Sequence, residues 1–181
     1  HEEQQPAFAH HPAGTLPHIK AGAATGVLIA GAAYGERSPV EFPSGICQLV
    51  LEAGQATAVE APEIPELCVY VVRGSAEIGG KAIGEAQMAV LSPQRPCRVK
   101  LSAGTRIMMA GGDPLDAPRY LDWNFVASSK ERLAKAAADW RASIAGGFSG
   151  TWFTQPPRET SWIPLPGDPQ PEPPDHQPDD H

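Results

Sequence analysis

Imidazole, thiol and carboxylate side chains are the groups through which this chain could do metal, nucleophilic or acid–base chemistry, and their spacing restricts each of these. The six histidines are His1, His10, His11, His18, His176 and His181, so residues 19–175 contain none. A transition-metal site inside a folded domain needs imidazoles at fixed positions on rigid elements. The middle of the chain cannot supply them. His10 and His11 are adjacent, but i,i+1 side chains diverge, and in a segment flanked by Pro6 and Pro12 the pair reads as part of a docked or solvated arm. Without a histidine base, no serine or cysteine has the partner that an activated nucleophile needs. Cys47, Cys68 and Cys97 each sit alone in an apolar stretch with no C-x-x-C spacing, the pattern of buried, reduced thiols in an intracellular protein. Carboxylates remain. Glu60, Glu63 and Glu66 cluster ahead of the apolar run Leu67–Val72, either as a solvated acidic loop or with one carboxylate turned inward. Gly111-Gly112 runs into Asp113-Pro114 and not into a helix, so no phosphate cradle forms there.

The elements that must position these groups are short and β-rich. Between residues 25 and 126, runs of β-forming residues alternate with Gly, Pro or Asp every eight to twelve positions, the pattern of a sandwich or barrel. Strands are predicted near Thr25–Tyr34, Ile46–Glu52, Ala56–Glu60, Leu67–Val72, Ala76–Ile78, Gln87–Ser92, Cys97–Leu101, Arg106–Ala110 and Leu121–Val126. Strict alternation in Cys97-Arg98-Val99-Lys100-Leu101 places one face in the core and one in water, whereas Val69-Tyr70-Val71-Val72 has no alternation and predicts a strand covered on both faces. Gly79-Gly80 supplies the positive φ angles of a two-residue hairpin turn joining Ala76–Ile78 to Lys81–Gly84. Ser128-Ser129-Lys130-Glu131 reads as a capping box, and Leu133, Ala137, Trp140 and Ile144 follow at helical spacing. One helix of about 15 residues is expected there, anchored by Trp140.

Composition bounds the rest. The 181 residues, 41% hydrophobic, suit one domain with a tail. Nine of the 20 prolines and six acids fall in Pro156–His181 against one base, Arg158. The remaining residues 1–155, with 13 bases and 15 acids, carry no basic footprint for nucleic acid. The longest apolar run, Gly26–Ala33, is far short of the roughly 20 residues that cross a bilayer, and the N-terminus has neither a signal peptide's basic start nor an initiator methionine. The expectation is a cytoplasmic chain that is a segment of something longer, with a disordered acidic tail over 167–181.

A small all-β barrel with these turn glycines suggests a cupin, that is, a double-stranded β-helix or jelly roll with one C-terminal α-helix. In such a barrel Cys47, Glu66, Cys68 and Tyr70 are the candidate lining of an interior pocket, while Met88, Met108 and Met109 are expected in the core. No catalytic residue and no metal ligand is assigned. Trp123 and Phe125, alternating with Asn124 on one strand, are expected as core or interface groups.

Several motifs in order resemble the pirin family, specifically the C-terminal of its two tandem cupin barrels. They are Pro6-Ala7-Phe8-x-His10-His11-Pro12, Gly31-x-x-Tyr34-Gly35-x-x-Ser38-Pro39, Val69-Tyr70-Val71-Val72-x-Gly74 and Gly111-Gly112-x-Pro114-Leu115. Trp123-Asn124-Phe125-Val126-x-Ser128-Ser129, Ala138-Asp139-Trp140 and Trp162-Ile163-Pro164-Leu165-Pro166 complete them. The chain departs from many relatives at Gly147–Phe153. The resemblance implies an inter-barrel arm over 1–20, a barrel over 21–127, a helix over 128–145 and a closing segment over 146–166 packed on the barrel. It also implies a metal-free barrel with no cofactor of its own, beside an N-terminal barrel that binds iron through three histidines and a glutamate. Relatives resemble quercetin 2,3-dioxygenases, so the implied role is the supporting barrel of a bicupin acting on a flavonoid. The alternatives are a non-catalytic interaction module of a pirin-like regulator that docks another protein, and a small-molecule-binding cupin acting alone.

Overall fold

The computed structural model describes residues 8–40, 42, 45–91 and 96–169; the arm before residue 8 and the acidic tail from residue 170 lie outside the described residues. The first strands are β1 (His18–Ala21), β2 (Ala24–Ala33), β3 (Glu36–Arg37), β4 (Ile46–Ala53), β5 (Thr57–Glu60) and β6 (Glu66–Arg73). They are followed by β7 (Ser75–Ile78), β8 (Lys81–Gly84), β9 (Met88–Leu91), β10 (Arg98–Leu101) and β11 (Thr105–Gly112). A short hairpin, β12 (Tyr120–Asp122) and β13 (Phe125–Ala127), then leads into helix α1 (Lys130–Ala145). Backbone contacts divide the chain into two compact units, one through Leu115 and the other from Asp116 onward.

In the first unit a seven-stranded sheet runs β1-β2-β4-β11-β6-β9, with β3 paired to β2, and a four-stranded sheet runs β5-β10-β7-β8. Every pairing is antiparallel, which lets alternate residues face opposite ways. The inward residues are strongly apolar. Leu49, Leu51, Val69, Val71, Ile107 and Met109 of the larger sheet meet Val59, Val99 and Leu101 of the smaller one in a single fully buried cluster. Burying each such side chain contributes about 1.5–3 kcal/mol, so this two-sheet core is what makes the barrel. β10 alternates as its sequence predicts, with Val99 and Leu101 buried and Arg98 and Lys100 exposed beside Glu60 and Glu77.

Two turns shape the barrel. Gly79 and Gly80 both take positive φ and close the β7–β8 hairpin as predicted. The β2–β3 hairpin places Tyr34 (φ +51°) and Gly35 (φ +84°) at the two corners of its turn, where a tight two-residue turn needs left-handed backbone. Tyrosine is an uncommon residue for that corner.

The second unit is an aromatic cluster around α1. Ser129 caps the helix, its hydroxyl accepting from the Arg132 amide at 3.1 Å. The Trp140 ring lies 5.7 Å from Trp123, 5.2 Å from Phe153 and 5.6 Å from Phe148, and its indole N–H donates to the Ile163 carbonyl at 3.0 Å. Trp140 is thus the helix anchor, and Phe148 and Phe153, from the stretch that departs from many relatives, complete its surroundings.

The structure corrects several expectations. The strand predicted over Leu121–Val126 is two strands, because Trp123, in left-handed conformation (φ +51°), and Asn124 form a turn between Asp122 and Phe125. The residue that caps the helix is the second serine of the Ser128-Ser129 pair. β1 and β3 were not predicted; β1 is too short and mixed, and β3 has only two residues. Val69–Val72 is not covered on both faces by the described residues, since Tyr70 and Val72 are 39% and 40% exposed. Asp168, placed in the disordered tail, accepts from the Arg141 guanidinium at 2.8 and 3.0 Å.

Candidate functional site

The barrel interior is the first place to look for chemistry, and its side chains decide what it can hold. Cys47, on β4, points inward and is fully buried. Tyr34 leans over the same end of the core from its strained hairpin corner and donates through its hydroxyl to the Glu60 carbonyl on β5 at 2.8 Å. Burial, and after it the nearby Cys47 and Glu60, push the Tyr34 phenol up to about 12. Burial also raises the thiols of Cys47 and Cys97, with Glu60 adding to the rise at Cys97. A raised thiol is neutral at physiological pH and a poor nucleophile. Tyr34 was not singled out in the sequence as a functional residue; the one signal for it was a tyrosine at a Tyr-Gly hairpin corner.

The predicted pocket lining does not assemble. Alternation along β6 buries Leu67, Val69 and Val71 and turns Glu66, Cys68 and Tyr70 to the opposite, outer face of the seven-stranded sheet. Cys47 alone of the four faces the interior, because its odd parity on β4 matches Leu49 and Leu51. Of the three methionines, Met109 is core as expected. Met108 is half-buried and Met88 is 59% exposed, both on the outer face. Glu60 is exposed beside Arg98, and Glu63 is exposed in the loop before β6.

An iron site does not fit this barrel. Apart from Cys47 and Thr105 the inward positions carry Leu, Val, Ile, Met and Ala, residues 19–175 contain no histidine, and among the described residues no three His, Cys, Asp or Glu side chains converge. His10 is exposed and His11 half-buried just ahead of a short 3-10 turn at Ala13–Thr15.

Two of the cavities among the described residues border the first unit's larger sheet. One, of about 570 Å³, opens at the strand ends around Gly31, Arg37, Ser38, Ile46, Ile64 and Asp113. Two of its polar groups are satisfied by the chain's own backbone: Ser38 donates to the Ile29 carbonyl and accepts from the Val40 amide, and Asp113 accepts from the Gly45 amide at 2.8 Å. The other, of about 580 Å³, is a groove on the outer face of the seven-stranded sheet between His18, Lys20, Val27, Ile29, Val50 and Arg106.

That outer face is unusual for a sheet turned to solvent. Cross-strand register aligns Val27, Val50, Met108, Tyr70 and Met88 in one row across five strands. A second row runs Gln48, Ala110, Cys68 and Val90, where Val90 is 76% exposed. The Cys68 thiol donates to the Ala110 carbonyl at 3.2 Å within that row.

Comparisons with known proteins agree on the architecture. Residues 46–146 match the family described as the Pirin C-terminal cupin domain. A Pirin-like protein of Caulobacter vibrioides is 40% identical over 78% of this chain and 49% of its own length. A Pseudomonas aeruginosa protein named for quercetin 2,3-dioxygenase is 31% identical over 77% of this chain and 45% of its own. A crystal structure of quercetin 2,3-dioxygenase from Acinetobacter baumannii superposes with a TM-score of 0.69 at 22% identity, covering 87% of this chain and 51% of that one, and so shares the fold. The chain therefore spans about half the length of the relatives it matches.

Proposed function

The chain belongs to the pirin family, as its C-terminal cupin domain, and from that premise we propose that it is the metal-free supporting barrel of a quercetin 2,3-dioxygenase-like bicupin. In this reading the other cupin half binds iron and meets a flavonoid substrate in the cytoplasm, and this half contributes structure and no reacting group. The observation that carries the proposal is the filled interior. Leu49, Leu51, Val59, Val69, Val71, Val99, Ile107 and Met109 occupy it at 0–2% exposure. Tyr34 closes over its Cys47 end through the bond to the Glu60 carbonyl. A catalytic cupin needs a cavity with convergent ligands, and close packing of this kind among the described residues supports the supporting role.

Metal analysis tests the proposal. The purified chain, and a form joined to the second cupin half, are measured by plasma mass spectrometry and assayed for oxygen uptake with quercetin. The proposal expects about one iron per protein and turnover in the joined form only. Stoichiometric iron or turnover in the short chain would overturn it, as would a joined form that binds no iron.

A further inference from the structure

A sheet face exposed to water ordinarily carries polar residues at every second position, because the alternation that buries one face leaves the other solvated. The seven-stranded sheet breaks that rule over its middle. Val27, Val50, Met108, Tyr70 and Met88 stand side by side at the outward positions of five strands, and Ala110, Cys68 and Val90 follow in the next row. Met88, Val90, Tyr70 and Val72 are 59%, 76%, 39% and 40% exposed, so nothing among the described residues covers that end of the face. A contiguous apolar surface of this kind marks a place where another protein packs.

We infer that this face, centred on Met108, Tyr70, Met88 and Val90, is the surface on which the second cupin half of the protein docks; the inference rests on the supporting-barrel reading above. Three observations choose that occupant. The match covers only 49% and 45% of the two relatives' own lengths, so a second half has to pack somewhere. The aligned rows are uncharged, the first of them across five strands, which suits another sheet face and not a helix lying in a groove. Charges flank the rows: at one margin Arg106 pairs with Glu52 at 3.4 Å and Lys20 makes no ion pair among the described residues, and at the other Glu66 begins β6. The docked half accordingly presents an apolar strand face with a carboxylate opposite Lys20, which would fix the register of the two sheets.

Cys68 lies within the patch and is a built-in reporter. Labelling by iodoacetamide, followed by peptide mass spectrometry, is compared in the short chain and in the joined form, with buried Cys47 as internal reference. Labelling of Cys68 is expected to be slower in the joined form by roughly 100-fold or more. The double variant Met88→Lys, Val90→Lys should remove that protection while leaving the melting temperature of the short chain unchanged, since both side chains are exposed in it. Equal Cys68 labelling in an iron-loaded joined form would overturn the docking surface and leave the supporting-barrel reading standing. A short chain that dimerises and protects its own Cys68 would assign the face to a second copy, and would overturn the inference equally. Absence of iron from the joined form is the separate failure of the underlying reading.

Discussion

Replacing Tyr34 tests how the barrel is closed, because the structure assigns its side chain three separable contributions. The hydroxyl donates to the Glu60 carbonyl at 2.8 Å. Tyr34→Phe removes that bond at a cost of about 1 kcal/mol, more if water fails to reach the orphaned carbonyl. The ring packs on the core cluster, and losing it entirely costs about 2–3 kcal/mol. The backbone, at φ +51°, holds a non-glycine residue in left-handed conformation at a cost of about 1 kcal/mol, which Tyr34→Gly would relieve. Tyr34→Gly should therefore destabilise by about 2–3 kcal/mol net, because the relieved backbone offsets only the lost hydrogen bond and leaves the cost of the missing ring. The phenol adds a pH signature. Below pH 10 it is neutral in both folded and unfolded chains and its contribution is complete. Between pH 10 and about 12 the unfolded chain ionises first, so stability falls across that window, by about 2 kcal/mol after allowing for the ring's partial exposure. Urea unfolding followed by far-ultraviolet circular dichroism at pH 7, 10 and 11.5 measures all three. Wild type should lose stability relative to Tyr34→Phe as pH rises. Parallel pH profiles for the two proteins, or a Tyr34→Gly variant more stable than wild type, would refute the closure.

Other substitutions probe how the elements are held. Gly74→Ala should cost about 3 kcal/mol in the same unfolding assay, because Gly74 has φ +84° and an added Cβ would stand 2.6 Å from the Thr105 hydroxyl and 2.9 Å from its Cα. Thr105→Val should cost about 2 kcal/mol, since the buried hydroxyl both accepts from the Ser75 amide at 3.1 Å and donates to the Ser75 carbonyl at 3.0 Å. Ser129→Ala removes the cap of α1 and should lower stability by about 1 kcal/mol, restored by Ser129→Asp. In thiol labelling of the short chain, Cys68 should react well ahead of Cys47, whose modification should wait on opening of the barrel because the thiol is fully buried and raised by that burial.

Much of the fold was legible because it rests on short-range physics. Gly79-Gly80 demanded a tight hairpin and formed one, Arg98–Leu101 alternated and is buried on one face only, and the serine pair before Lys130 began a helix. The failures share a cause as well. Leu121–Val126 looks like one strand because its β-formers are uninterrupted, yet the chain reverses at Trp123 and Asn124, neither of them glycine. Trp123 tolerates its left-handed backbone while its ring packs against Phe125 at 5.2 Å and Trp140 at 5.7 Å, a tertiary contact that no local rule anticipates. Composition puts Asp168 in a disordered tail, but it takes a place beside Arg141, 27 residues before it in sequence, which no local rule anticipates.

The candidate site shows why parity matters more than position. Cys47, Glu66, Cys68 and Tyr70 were grouped because their strands are central, and centrality is correct: β4, β11 and β6 are interior strands of the larger sheet. Which face a residue occupies, however, depends on a period of two counted from a fixed register, and a one-residue error moves a side chain from the interior to the surface. The run Val69-Tyr70-Val71-Val72 carries no alternation because its outward residues are apolar too, which removes the signal that would have set the register. A strand of that composition is normally buried on both sides. In this chain Val69 and Val71 are fully buried while Tyr70 and Val72 are not. Among the described residues nothing covers that second face, and the missing alternation in β6 is the same fact, written in residues, as the open apolar rows on the sheet.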